Sequence, residues 1–170
     1  MKTSVSLVLL MFVSSLASPV LAAGKTAKAL LPSAAAAAKK WQADGALVNI
    51  DTKSAQPDGT VATGPMPGVW AFTYYSPKTK QKALIMVDGK GKLFREDSGY
   101  FQTRSVGEFS VDSNQAMAAA VKNGLKTHTF GMSMGLESND GRAEWRIADK
   151  EHFYYVDAGS GKFLRKEKND

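Results

Sequence analysis

Two segments of this chain repeat one short pattern, and that repetition restricts the fold more than any other feature of the sequence. Residues 153–166 read FYYVDAGSGKFLRK: an apolar and aromatic run, a turn with Asp157 and two glycines, and a second apolar run. Residues 84–96 read LIMVDGKGKLFRE, with Asp88 in the same place and a turn shorter by one residue. Aspartate and glycine between apolar runs are typical of a β-hairpin. The sequence therefore predicts two related hairpins, one in each half.

The segments that precede the two hairpins also follow a common order. Ser33 is a good N-cap for the alanine-rich residues 34–41, and it predicts the start of a first helix. Asp112 and Gln115 have the spacing of a capping box and predict the start of a second helix. After each helix, runs with alternating apolar residues predict four strands.

We therefore expect an α+β fold with two repeated units, each one helix packed on a four-stranded antiparallel sheet. The pattern leaves open whether the two sheets join edge to edge. Residues 53–68 are rich in proline and glycine and predict a mobile surface loop inside the first unit. The expected boundaries are a signal peptide (1–22), a leader (23–32), the first unit (33–96), a connection (97–111) and the second unit (112–168).

The amino-terminal residues have the pattern of a secretory signal peptide. Lys2 is followed by an apolar run over residues 5–16, which is too short to cross a membrane comfortably, and then by small residues. We expect cleavage after Ala22 or Ala23. No later stretch is long and apolar enough to span a bilayer, so the sequence predicts a periplasmic or secreted product.

The residue types that catalysis or metal binding requires are scarce. The chain has no cysteine, which excludes disulfides, thiolate ligands and a lipid anchor on cysteine. His128 and His152 are the two histidines, and their spacing matches no metal or catalytic motif. Asp88 and Asp157 could be read as a catalytic carboxylate pair, but their place before glycines favours a turn role. We expect no enzyme activity, metal or cofactor.

The charge of the chain is basic but modest. Removing the predicted signal, which holds one lysine and no acidic residue, lowers the formal net charge from +6 to +5. The basic residues are dispersed, which indicates a solvated surface rather than a nucleic-acid site. The charge suits an acidic partner.

Aromatic side chains provide the candidate binding residues. If only one side of each sheet is covered by a helix, the aromatics on the other side are exposed, and arginine beside aromatics is typical of protein-binding surfaces. An alternative is that these rings pack against the other unit or a dimer mate. The candidates for partner binding are Trp70, Tyr75, Phe153, Tyr155 and Arg165.

The combination of these features resembles the PepSY domain, here in tandem over residues 34–96 and 112–168. The features are an alanine-rich helix, a strand led by Trp70 or Trp145, and a closing hairpin with Val-Asp, glycines, lysine, two apolar residues and arginine. The architecture is also similar to that of β-lactamase inhibitory proteins. The long loop at residues 53–68 departs from the family pattern. The resemblance implies an exported bacterial module that inhibits or binds proteins and has no catalytic residues.

The resulting hypothesis is an exported, non-catalytic protein-binding module that inhibits or chaperones an exported enzyme such as a peptidase. Its partner would be an exported protein or peptide, with no nucleic acid and no membrane span. The alternative is a carrier of lipids or other small ligands, with an apolar pocket between helix and sheet lined by Met132, Met134 and Trp145.

Overall fold

Each of two helices is followed by four strands in a computed structural model that describes residues 23–129 and 131–169. The predicted signal peptide, residues 1–22, lies outside the described residues. The elements are α1 (Ala27–Trp41), β1 (Ala46–Ala55), β2 (Val69–Tyr75), β3 (Lys82–Asp88), β4 (Leu93–Asp97), α2 (Ser113–Lys122), β5 (Met132–Asn139), β6 (Arg142–Ala148), β7 (His152–Asp157) and β8 (Phe163–Lys168).

All eight of these strands form one antiparallel sheet, in the order β4-β3-β2-β1-β5-β6-β7-β8. β1 and β5 pair at its centre, where Ile50 lies opposite Leu136 and Thr52 lies opposite Met134. The prediction of two repeated units, each with its own helix on a four-stranded sheet, is therefore wrong. Separate sheets would leave β1 and β5 as unpaired edges, and their pairing satisfies the backbone groups of both.

Helix α1 lies against β2 and β3 and α2 against β6 and β7. Both are on the same side of the sheet, where the Ala27 backbone N–H at the start of α1 donates to Ser113 Oγ at the start of α2 at 3.1 Å. We call this side the helix face. One continuous core fills the space between the helices and the sheet. Its largest fully buried side chains include Trp70, Phe72, Ile85, Leu136, Trp145, Ile147 and Tyr154. Side chains alternate across a strand, so the residues between these point to the opposite side, which we call the open face.

Helix α1 begins earlier than the sequence pattern indicates. Thr26 is its N-cap, with the Oγ1 atom accepting a hydrogen bond from the Ala29 backbone N–H at 3.2 Å. Ser33 and Pro32 therefore lie inside the helix, and the prediction of a loose leader up to residue 32 is wrong. The predicted start at Ser33 depended on serine as an N-cap ahead of the alanine run, but the capping bond at Thr26 and a buried Ala27 hold about two additional turns.

The segment at residues 53–68 is more ordered than a plain mobile loop. β1 continues to Ala55, and Val61 forms β-bridges with both Ala55 and Lys25. Val61 is fully buried, whereas Met66 at the tip is 90% exposed. The predicted exposure therefore applies to the tip, while the base of the loop is part of the core.

The two hairpin aspartates have the structural role that the sequence predicts. Asp88 Oδ1 accepts backbone hydrogen bonds from Lys90 at 2.8 Å and from Lys92 at 2.9 Å. Asp157 Oδ1 accepts from the Ser160 backbone N–H at 2.7 Å. One turn joins β3 to β4 and the other joins β7 to β8, near opposite edges of the sheet. The two carboxylates therefore hold turns and do not form a pair.

Candidate binding face on the open side of the sheet

Trp70 does not belong to any exposed surface. Its side chain is fully buried on the helix face, in line with Phe72 and Tyr74. The indole Nε1 donates a hydrogen bond to the Lys25 backbone oxygen at 3.1 Å, just before α1. The prediction that Trp70 contacts a partner is therefore wrong, because its face of β2 is the one that α1 covers.

The other four predicted residues lie on strand positions of the open face. Phe153 and Tyr155 are on β7, and Tyr155 lies directly opposite Arg165 on β8. Tyr75 ends β2, opposite Lys82, on the far side of the β1–β5 pair. The fold therefore brings Phe153, Tyr155 and Arg165 together and leaves Tyr75 apart from them.

Arg165 is held over the ring of Tyr155 by two carboxylates. Its guanidinium carbon lies 3.7 Å from the ring centroid, within cation–π distance. Its Nη1 atom donates to Glu144 Oε2 at 2.8 Å, and its Nε atom donates to Glu167 Oε1 at 2.7 Å. Burial, and secondarily the hydrogen bond with Glu167, raises the pKa of Tyr155. The guanidinium is thus fixed in one orientation with its ring partner.

Arg146 repeats this arrangement on the next strand, β6. Its guanidinium carbon lies 5.3 Å from the Phe153 ring centroid, and its Nη1 atom lies 3.7 Å from Glu137 Oε1. We call the four side chains of Arg146, Phe153, Tyr155 and Arg165 the arginine–aromatic ladder. Arg146 was not predicted from the sequence; its position one residue after Trp145, on the opposite face of a strand, is the signal that identifies it.

A polar slot lies beside the ladder, above the pairing of β1 and β5, with a cavity volume of about 160 Å³. Asp51 on β1 lies opposite Gly135 on β5, and Gly135 lies opposite Arg146 on β6. These three residues form a row across the sheet. Because Gly135 has no side chain, the row has a gap between the Asp51 carboxylate and the Arg146 guanidinium. We call this cavity the central slot.

Tyr100, from the connection between β4 and α2, covers one end of the central slot. Its hydroxyl accepts a hydrogen bond from Asn49 Nδ2 at 3.2 Å and donates to Glu137 Oε2 at 3.2 Å. Burial raises the pKa of Tyr100 to about 12. Phe101 beside it is 78% exposed, with its ring centroid 5.2 Å from that of Tyr100. The central slot was not predicted from the sequence, although the alternation that places Asn49 and Asp51 on one side of β1 indicates a polar face.

The pocket expected for a small-ligand carrier is not where the sequence placed it. Met132, Met134 and Trp145 are all buried in the core, and Trp145 packs edge to face against Phe109 at a centroid distance of 6.3 Å. A groove of about 680 Å³ lies instead between α1 and residues 107–110, lined in part by Leu31, Leu47, Tyr74 and Phe109. The Tyr74 hydroxyl at this groove is buried and has no hydrogen-bond partner among the described residues.

Both histidines lie near Asp149 in the fold. His128 lines a small cavity with Asp149 and Glu151, and His152 Nδ1 lies 3.8 Å from Asp149 Oδ1. Over residues 23–129 and 131–169, no group of three or more histidine, cysteine or acidic side chains could hold a metal ion. Over the same residues, no helix combines the length and hydropathy that a membrane crossing requires.

Comparison with known proteins gives a likeness of fold. No family model matches the sequence, and no curated protein matches it. The crystal structure of a putative lipoprotein from Clostridium difficile 630 superposes with a TM-score of 0.58 at 13% sequence identity, covering 86% of this chain and 94% of that chain. At this identity the likeness concerns the fold alone. The resemblance to the PepSY domain stays a prediction.

Proposed function

We propose that this chain is an exported, non-catalytic binding protein that captures another protein or peptide through the arginine–aromatic ladder. The observation that carries the proposal is the stacking of Arg165 on Tyr155 at 3.7 Å, on a sheet face that neither helix covers. Arginine and tyrosine, together with tryptophan, are enriched among the residues that dominate binding energy at protein interfaces.

The ladder is preorganised for binding. Glu144 and Glu167 hold Arg165, and Glu137 lies within ion-pair distance of Arg146. Side chains that are already fixed lose less conformational entropy when a partner docks, so more of the contact energy remains as affinity. The positive net charge of the chain favours encounter with an acidic partner.

Two observations support export. The first 22 residues have the composition of a secretory signal peptide, and the protein of similar fold from Clostridium difficile 630 is named a putative lipoprotein. An exported binder without catalytic groups would act by inhibiting or chaperoning its partner, and an exported enzyme such as a peptidase is the proposed partner class.

The proposal is tested with the double variant F153S/Y155S and the control variant V121S, which changes an exposed apolar residue of α2 on the other side of the molecule. Partners captured from the exported-protein fraction are identified by mass spectrometry, purified and titrated against each variant. We expect the double variant to bind about tenfold or more weakly and V121S to bind like the parent.

Circular dichroism and thermal unfolding accompany these titrations. Unchanged affinity of a folded F153S/Y155S variant contradicts the proposal. If that variant unfolds, the two rings are structural, and Arg165→Gln then provides the decisive titration. Parent-like binding by a folded R165Q variant would equally count against the ladder.

A second candidate function is a small-ligand carrier that uses the groove between α1 and residues 107–110. The unpartnered Tyr74 hydroxyl in a largely apolar groove favours it, since buried hydroxyls ordinarily have a partner. A thermal-shift screen with fatty acids and small aromatic carboxylates tests it. Stabilisation that Tyr74→Phe abolishes would support the carrier, and the absence of any shift would contradict it.

A further inference from the structure

The central slot contains a buried hydrogen-bond acceptor without a donor. Asn49 is 5% exposed, and its Nδ2 atom donates to the Tyr100 hydroxyl and to the Leu136 backbone oxygen. Its Oδ1 atom has no hydrogen-bond partner in the described part of the chain. A buried amide oxygen without a donor is costly, so such an atom next to a cavity indicates a missing donor.

A second acceptor lies two residues further along the same face of β1. The carboxylate of Asp51 interacts electrostatically with Lys53 and Arg146, and burial raises its pKa despite these charges. Within residues 23–129 and 131–169 it has neither a hydrogen bond nor an ion pair closer than 4 Å. Two neighbouring acceptors at this cavity, one buried and one partly buried, therefore lack a protein donor, and a ligand ammonium group would satisfy them.

The same cavity also contains positive groups, so its lining is not simply anionic. Arg146 is 44% exposed, with its Nη1 atom 3.7 Å from Glu137 Oε1, and Lys53 Nζ donates to Ser133 Oγ at 3.0 Å. These cations lie around the gap left by Gly135, and Arg146 is across that gap from Asp51. The slot thus presents both an acceptor pair and cations to one ligand.

We propose that the central slot binds a free α-amino acid, with its ammonium group against Asp51 and Asn49 Oδ1 and its carboxylate against Arg146 and Lys53. The volume of about 160 Å³ exceeds that of one water, which occupies roughly 30 Å³, and suits a small organic zwitterion. The exposed Phe101 ring at the rim provides apolar surface for the ligand side chain. This inference does not rest on the proposed capture of a protein by the ladder.

The test uses L-leucine and two analogues that each lack one charge. L-leucine methyl ester keeps the ammonium and loses the carboxylate, and N-acetyl-L-leucine keeps the carboxylate and loses the ammonium. Each is titrated into the purified protein by calorimetry, and a thermal-shift screen of the other free amino acids covers zwitterions with different side chains. We expect both single-charge analogues to bind about tenfold or more weakly than the parent zwitterion.

Two variants localise the binding, each with a matched control. Asp51→Asn removes the acceptor charge, and Asp97→Asn makes the same change on β4 at the far edge. Gly135→Ala adds a methyl group to the slot floor, where the nearest atoms would be Ile50 O at 3.4 Å and Asp51 Cβ at 3.8 Å, both ordinary contacts. Gly64→Ala places the same methyl group in open space.

We expect D51N and G135A to weaken binding of the zwitterion about tenfold or more, while D97N and G64A bind like the parent. The proposal is overturned if no free amino acid binds, because the slot then holds only water. It is also overturned if the methyl ester binds as tightly as the zwitterion, or if folded D51N and G135A retain parent affinity. These variants leave the ladder's aromatic rings unchanged, so failure here is distinguishable from failure of the protein-capture proposal.

Discussion

Trp70 and Trp145 meet edge to face in the core, with ring centroids 6.1 Å apart and planes inclined by 70°. Each indole also secures the chain that leads into a helix: Trp70 Nε1 donates to the Lys25 backbone oxygen and Trp145 Nε1 donates to the Val111 backbone oxygen. One ring comes from β2 and the other from β6. The two halves of the chain therefore share a single core, and neither half encloses its own tryptophan.

Removing Trp145 should destabilise the whole protein. We expect Trp145→Ala to lower the free energy of unfolding by about 3–5 kcal/mol, the usual cost of deleting a fully buried large aromatic. Trp145→Phe should cost less but still lose the bond to Val111. Urea denaturation followed by circular dichroism measures both. Phe101→Ala, at a 78% exposed position, serves as control, and equal effects of W145A and F101A would contradict the shared core.

Pro32→Ala should stabilise the protein. Pro32 lies inside α1, lacks the N–H that would bond the backbone oxygen four residues earlier, and is exposed. Replacing it with alanine restores that bond, and we expect a gain of about 1–3 kcal/mol in the free energy of unfolding. Thermal unfolding measures the gain. A lower melting temperature for P32A would mean that the proline ring makes a contact that outweighs the missing bond.

Asp157→Ala should lose stability at neutral pH and not in acid. Hydrogen bonds from the Ser160 side chain and backbone lower the pKa of Asp157. A lowered folded-state pKa means that the stabilisation is present above the ordinary value of 3.8 and is lost as pH falls through the folded-state pKa. We expect a loss of about 1 kcal/mol near pH 7. Urea unfolding from about pH 2 to about pH 7 shows whether the difference from the parent disappears in acid, as it must.

Asp51→Asn should change stability in the opposite direction, with a gain near neutral pH that disappears in acid. Burial raises the pKa of Asp51, so the folded state holds its proton more tightly than the unfolded state, and the carboxylate destabilises the fold as pH rises through that pKa. D51N should therefore be more stable than the parent near neutral pH, and the difference should shrink towards about pH 3. The same titration of D97N is the control. A D51N variant less stable than the parent near neutral pH would show that Asp51 has a stabilising partner.

Local features of the fold were predictable because short stretches of sequence determine them. The turns at Asp88 and Asp157 and the capping box at Asp112 and Gln115 are confirmed, since each involves bonds between residues close in the chain. The continuous sheet was not predictable in the same way. The pairing of β1 with β5 joins residues that are distant in the chain, such as Ile50 and Leu136, and alternation within a strand does not specify which other strand it pairs with.

The same limit applies to the candidate sites. The alternation of side chains places Trp70 and Tyr75 on opposite faces of β2, but it does not show which of these faces the helices cover. For that reason Trp70 was assigned to an exposed face. Phe153, Tyr155 and Arg165 come from adjacent strands of one hairpin, so local reasoning found them. The central slot needs β1, β5, β6 and the distant Tyr100 together, and only the assembled sheet brings these together.

The central pairing of β1 with β5 has a consequence for how the chain is made. β1 emerges from the ribosome long before β5, and until β5 is synthesised one edge of β1, which carries the buried Val48 and Ile50, has no partner. An unpaired apolar edge is a template for aggregation. A chain truncated before β5 should therefore aggregate rather than persist as a half-folded protein.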